Sequence, residues 1–376
     1  MNGRIRRILL SLFLSLTLAV PLVPLEPAQT VQAAEAGDNS MRVIQIASSS
    51  AFTLALRADG TVWAWGQNDK HQLGYVNGDR EFPVQVMTGD EEPLEHIVRI
   101  AAGSNFGAAL DIEGNVWVWG EMDTTIEPAR KFTLADFDNE TITDIAAGAY
   151  YILALSDNGH VYAWGNGPLG RDNSASNTPL KVLKTDETPL EHVVQIAAAE
   201  DLAAAKTADG TVYNWYWFSS AGNKLAEPVF SGLSEDDPIF AGGYAAFLVK
   251  DGDVYGWGSY FQLGLPGPFD GGPSRYTIPT RIPELAGKNI IRISSSTTHS
   301  LALSANGQVY GTGDSVSGVL GSLWTPSVDT FTLIPELAGG VTGIEAGYYR
   351  TFFERGERLW AMGENKTSGG VPGALA

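Results

Sequence analysis

No cysteine occurs anywhere in the 376 residues, which excludes a disulfide scaffold, thiol chemistry and cysteine metal sites and leaves stability to a packed core. Positive charge is also scarce: 24 lysines and arginines stand against 43 aspartates and glutamates, a formal net charge of −19. Such a surface repels phosphate backbones, and no basic stripe offsets it, so nucleic acid is excluded as a partner. No window sustains a 3.6-residue apolar period, which rules out helical solenoids. The one long apolar run, Ile8 to Val20, falls short of the roughly twenty residues that a membrane-spanning helix needs. Arg4, Arg6 and Arg7 precede that run and Ala33, Ala34 and Ala36 follow it, the layout of a secretory signal peptide. Residues 1–36 are therefore expected to be a bacterial export signal, 37–42 a short linker and 43–376 a single secreted domain, monomeric and free of the membrane after cleavage. The mature chain would carry 21 basic and 41 acidic residues, since the signal holds three of the first and two of the second.

What the chain has in abundance is a repeat. Five copies read Val62-Trp63-Ala64-Trp65-Gly66, Val116-Trp117-Val118-Trp119-Gly120, Val161-Tyr162-Ala163-Trp164-Gly165, Val212-Tyr213-Asn214-Trp215-Tyr216 and Val254-Tyr255-Gly256-Trp257-Gly258, and two looser ones are Val309-Tyr310-Gly311-Thr312-Gly313 and Leu359-Trp360-Ala361-Met362-Gly363. Ahead of each stands a turn glycine, at positions 60, 114, 159, 210, 252, 307 and 356. A period near fifty marks an array of supersecondary units.

Each unit opens with a short apolar segment and a Gly/Ala/Ser-rich bend, continues into a second segment, and turns at a glycine, which is Asp-Gly or Asn-Gly in five units, as at Asp59-Gly60 or Asn158-Gly159, and Glu113-Gly114 or Arg355-Gly356 in the others. Asp-Gly or Asn-Gly is the strongest short hairpin signal. In the third segment the period is two, so Trp63 and Trp65 share one face while Val62, Ala64 and Gly66 share the other. A bulky face against a small one suits sheets stacked radially. A fourth segment opens at or near proline, as at Pro83, Pro179 and Pro228, which suits an outer edge strand. Four strands in seven units give an all-β fold, a seven-bladed β-propeller, with Val371–Ala376 as the outer strand of the last blade or, as the alternative, a strand donated by the N-terminus.

Three features together resemble the regulator of chromosome condensation repeat family: the Gly/Ala bend before Thr298-His299-Ser300-Leu301-Ala302-Leu303, the Asn-Gly or Asp-Gly turn, and Val-Tyr/Trp-x-Trp-Gly. The loop Trp65-Gly66-Gln67-Asn68-Asp69-Lys70-His71-Gln72-Leu73-Gly74 matches that family's pattern, and Tyr255-Gly256-Trp257-Gly258-Ser259-Tyr260-Phe261-Gln262-Leu263-Gly264 matches it second. The resemblance implies a propeller that serves as a non-catalytic binding platform. Secreted bacterial propellers resembling this one include proteinaceous inhibitors of β-lactamases.

Chemistry is sparse. His71, His96, His160, His192 and His299 fall at scattered repeat phases and read as loop or core histidines, since a metal site needs three or four converging ligands. The acidic run Asp136-Phe137-Asp138-Asn139-Glu140 lacks the spacing of a calcium loop. No nucleophile elbow, phosphate loop or His-Glu-x-x-His helix is present. No metal, cofactor or catalytic residue is expected.

Chain direction places the bends and the long third-to-fourth loops on one face and the turns and linkers on the other. The first face gathers Tyr150, Tyr151, Tyr244, Tyr348 and Tyr349 from the bends, and Trp217, Phe218, Tyr260, Phe261 and Trp324 from the long loops. Phe52 and Phe106 are expected to plug their own bends. Aromatic rings gathered on one face mark an interaction site, so the expected function is protein binding or enzyme inhibition. The alternative is a carbohydrate-binding or glycan-processing platform.

Overall fold

The computed structural model describes residues 42–74, 78–122, 126–171, 175–217, 224–321, 326–356 and 358–363. Blade 1 is Val43–Ser48, Phe52–Arg57, Val62–Gly66 and Arg80–Gln85, four antiparallel strands hydrogen-bonded in chain order. Five more sheets repeat that order, and the seventh, Val341–Ala346, Arg350–Arg355 and Arg358–Gly363, has three strands among the described residues. The fold is a seven-bladed β-propeller. The outer strand expected at Val371–Ala376 and the export signal at 1–36 lie outside the described residues.

The turns form as their glycines require. Gly60 sits at φ +82°, where its N–H donates to Arg57 O at 3.0 Å and the Asp59 carboxylate accepts the Thr61 N–H at 2.9 Å. Only glycine holds that φ without strain. Four of the turns dock on the next linker: Ile97 N–H donates to Gly60 O at 3.0 Å, Val193 N–H to Gly159 O at 3.0 Å, Leu233 N–H to Gly210 O at 3.1 Å and Val341 N–H to Gly307 O at 3.1 Å.

Between blades the second aromatic of the third strand packs, in blades 2 to 5, on its neighbour's aliphatic face. Trp119 meets Leu54, Val62 and Ala64; Trp164 meets Leu110, Val116 and Val118; Trp215 meets Leu153, Val161 and Ala163; Trp257 meets Leu202, Ala204 and Val212. Trp65 and Val43 complete the circle against Phe352 and Leu359 of blade 7. At the first aromatic position Tyr162 and Tyr310 are buried as expected, but other rings differ. Trp63 and Trp117 are only half-buried and lie under cations, Arg57 at 4.0 Å and Lys131 at 5.1 Å from the ring centres.

Blade 5 departs from the pattern because its innermost strand is only Ile239–Gly242, preceded by Pro238. Lys206 of blade 4 fills the gap. It is 3% exposed, and its ammonium donates to Ser234 O at 3.3 Å, to Glu235 O at 2.9 Å and to Asp237 O. Lys206→Met keeps the volume but leaves three carbonyls without their donor, and should cost about 1–3 kcal/mol. Thermal unfolding checks the total, and hydrogen exchange should show faster opening around 234–239; an unchanged melting temperature would remove the lysine's structural role.

Candidate functional site

One end of the propeller is built from the seven bends, and the Trp-Gly signature is what places them. In six blades the glycine after the second aromatic position takes φ between +90° and +115°, and a side chain there would strike the backbone of its own bend. A Cβ on Gly165 would stand 2.3 Å from Tyr150 O, on Gly258 2.2 Å from Tyr244 O, and on Gly363 2.4 Å from Tyr349 O. Those glycines therefore let the bend tyrosines lie close over the sheet. In blade 4 Tyr216 takes the glycine's place, and its bend carries Glu200 and Asp201 instead of tyrosine.

The bends are laced to one another around the rim. Ser49 Oγ reaches Ser104 O at 3.4 Å, Ser104 N–H donates to Ala149 O at 2.8 Å and Glu200 N–H to Gly243 O at 2.7 Å, and Thr298 Oγ1 donates to Tyr348 O. Gln262 Nε2 donates to Thr297 O at 2.7 Å. Inside the rim a cavity of about 420 Å³ opens on the central channel, walled by small residues such as Ser49, Ala102, Gly148 and Ser295 together with Glu200, Glu345, Tyr244 and Tyr348.

Two carboxylates sit in that cavity. Burial pushes Glu200 up to about 7, and the neighbouring Asp201 charge pushes in the same direction. Burial likewise pushes Glu345 up to about 7, opposed by Arg292, the Ser294 hydroxyl and the Ser48 N–H. Asp201 is held apart by Arg275 of blade 5 through two bonds of 2.8 and 3.0 Å, and the guanidinium also covers the Tyr216 ring at 5.0 Å. Because Arg275 follows the long loop of blade 5, this pair confirms that bends and long loops share one end.

The rings expected on this face divide. Tyr244 and Tyr349 are 40% and 38% exposed, and Tyr150 and Tyr348 are half-buried. Tyr348 and Tyr349 meet edge-to-face at 4.1 Å. Tyr150, Tyr348, Glu200 and Asp201 all lie near enough to raise Tyr244 further, after burial itself. Tyr151 corrects the expectation: it is fully buried, its hydroxyl within bonding distance of Ala199 O at 2.9 Å and Leu202 O at 2.8 Å, so it ties blade 3 to blade 4. Its ring covers Gly148, where a Cβ would lie 1.9 Å away, as the Phe106 ring covers Gly103. Phe52 and Phe106 are buried plugs. Trp217, Tyr260 and Phe261 are half-buried; Tyr260 and Phe261 lie on one helical turn, Tyr260–Leu263, and the Tyr260 ring closes over Gly267. Phe218 and Trp324 lie outside the described residues.

The other candidates are explained by packing. His299 is fully buried; its Nε2 meets Thr351 Oγ1 at 2.8 Å, and burial lowers it to about 3. His160 lies 2.9 Å from Glu140, and Lys181 is shared between Asp138 and Glu140 at 3.1 Å each, so the acidic run ahead of blade 3 is engaged by Lys181 and hydrogen-bonded by His160. Among the described residues no group of three histidines or carboxylates converges to hold a metal. Sequence reading missed Glu200 and Glu345. The signal was positional: Glu345 stands where blades 1 to 4 have Ala47, Ala101, Ala146 and Ala197.

Models of the regulator of chromosome condensation (RCC1) repeat match residues 59–110 and 251–303, and a second model of that repeat matches 43–72, 142–171 and 290–319. The chain carries RCC1 repeats in a seven-bladed propeller. Among curated relatives it is 27% identical over 325 residues to human E3 ubiquitin-protein ligase HERC2, covering 80% of this chain and 7% of that protein. The ultraviolet-B receptor UVR8 of Arabidopsis thaliana is 26% identical, with 78% of this chain and 70% of the receptor covered. Human regulator of chromosome condensation is 25% identical, with 86% and 73% covered. The solved structure of Prp20p from Saccharomyces cerevisiae, studied for its binding to Gsp1p and histones, superposes with a TM-score of 0.67 at 23% identity over 81% of this chain and 80% of that one. RCC1-repeat propellers are binding and regulatory modules, and the ligase among these relatives far exceeds the repeat domain in length.

Proposed function

We propose that this RCC1-repeat propeller is a secreted, non-catalytic protein-binding module, an enzyme inhibitor in its narrower form, and that it uses its bend face. The observation that carries this reading is the rim of Tyr150, Tyr244, Tyr348 and Tyr349 beside Glu200 and Asp201, held rigid by bend-to-bend hydrogen bonds. Rigid aromatic anchors with fixed polar neighbours bind without an ordering cost. Yeast Prp20p, which shares the fold, binds proteins by its description, and the export signal read at residues 1–36 supports an extracellular setting. The glycan alternative is less well supported, because Tyr348 and Tyr349 meet at 81° and offer no flat shelf for a sugar ring.

The test is capture of a partner from medium conditioned by the native organism, followed by competition between variants. Tyr244→Ala with Tyr349→Ala should weaken binding at least about tenfold, about 1.4 kcal/mol or more. Ile112→Ser, at an exposed turn on the opposite end, should leave it intact. The reverse pattern would place the interface on the turn face.

A further inference from the structure

We propose that the channel mouth is a socket for one lysine side chain of a protein partner, received by the Glu200 carboxylate and the rings of Tyr244 and Tyr348. This rests on the reading that the bend face binds protein, and it names the chemistry of the central contact.

Three observations carry it. First, Glu200, Tyr244 and Tyr348 line one cavity, and among the described residues no cation is paired with Glu200, whereas Asp201 beside it is fully engaged by Arg275. An unpaired carboxylate half out of water favours a cation that arrives from outside. Second, the remaining acceptors are single and spread around the ring: Ser49, Ser104 and Thr297 line the same cavity, and Thr297 Oγ1 is buried with no partner. A compact ammonium with three rotatable donors can meet the Glu200 carboxylate and the scattered single acceptors together, while a guanidinium that pairs with the carboxylate holds its remaining donors in that same plane. Tyrosine rings add cation–π attraction. Third, the molecule uses this arrangement internally. Lys181 Nζ stands 3.1 Å from both Asp138 and Glu140 and 5.5 Å from the Tyr162 ring, a lysine held by carboxylates and a tyrosine at the other end of the propeller.

Asp201 on its own bend acts on Glu200, the Glu200 N–H donates to the Gly243 carbonyl of blade 5, and Tyr244 of blade 5 with Glu345 and Tyr348 of blade 7 line the same cavity. Arg275 is taken up by Asp201 and the Tyr216 ring. Glu200, pushed up to about 7, must lose its proton to receive the ammonium, so lysine binding should strengthen from pH 6 to pH 8.

The experiment titrates the full propeller with the peptide acetyl-Gly-Ser-Lys-Ser-Gly-amide, read by saturation transfer to the lysine methylenes, beside the same peptide with norleucine or arginine. The lysine peptide should bind with a millimolar Kd, and norleucine should lose at least about tenfold. Glu200→Gln should cost a similar factor and flatten the pH profile, with unchanged circular dichroism showing that the fold is intact. Equal binding of the norleucine peptide, tighter binding of the arginine peptide, or an unaltered Glu200→Gln would overturn the socket. If the lysine peptide fails while the double tyrosine variant still loses its partner, the socket falls and the face stands. If the peptide binds but that variant keeps its partner, the face reading falls instead.

Discussion

Trp215→Ala should lower the unfolding free energy by about 3–5 kcal/mol, the range for emptying a buried aromatic site. For a protein whose total stability is of order 5–15 kcal/mol, that one change removes a large share. The ring is fully buried and fills the seam between blades 3 and 4, and its Nε1 donates to Pro168 O at 2.8 Å, so it also pins the long loop of blade 3. Trp119 does the same for blade 1 through Gln72 O at 2.9 Å. Trp164 is equally buried but its Nε1 has no acceptor among the described residues. Phenylalanine separates volume from hydrogen bonding: Trp215→Phe should cost about 1 kcal/mol more than Trp164→Phe, the net worth of one buried bond. Urea titrations of the three variants decide it, and equal losses at 164 and 215 would mean that the indole N–H contributes nothing.

The second large effect depends on pH. Glu354 lies on the middle strand of blade 7 opposite Gly343, 7% exposed, and burial pushes it up to about 8 against the opposing pull of Arg292 and Arg42. A raised folded-state value means that the native protein keeps a proton that the unfolded chain has lost. The associated stability is fully present below the ordinary carboxylate range near 4.3 and disappears as pH rises through about 8. Glu200 and Glu345, each pushed up to about 7, act in the same direction. Moving from pH 5.5 to 8.5 should therefore destabilise the protein by about 2–4 kcal/mol through Glu354 alone, as one pKa unit is worth about 1.4 kcal/mol. Glu354→Gln, which carries no charge at either pH, should be the more stable protein at pH 8.5 and show a flatter profile. A melting temperature that rises between those pH values, or a variant that parallels the wild type, would contradict this.

How much of this was legible in the chain follows from what repeats. A turn glycine recurs in all seven units and Trp-Gly in four of them because hairpin geometry and blade packing impose them, so the propeller could be read without coordinates. The site is made of departures from the repeat, and a departure has no motif. Tyr150 and Tyr151 look alike in the sequence, yet register puts Tyr151 on the strand under the next blade and leaves Tyr150 in the bend. The hint was Gly148, a small residue three places before the ring, as Gly103 stands before Phe106. Glu200, Glu345 and Glu354 were invisible as lone acids, because what distinguishes them is burial, and burial comes from neighbours brought in from other blades. Trp217 and Tyr260 stood out by type, but their surroundings are long loops, where the sequence period offers no guide.

The seam that completes the circle has a kinetic meaning. Every other seam joins units adjacent in the chain, whereas Trp65 and Val43 must find Phe352 and Leu359 across the whole array. Closing that span costs about 1.5 kcal/mol more entropy than closing a fifty-residue loop, and contacts so distant in sequence form slowly. Its buried residues are also fewer than at any other seam among the described residues. Assembly should thus proceed as an open spiral that snaps shut last, and the same junction is where a folded molecule would first part its ends.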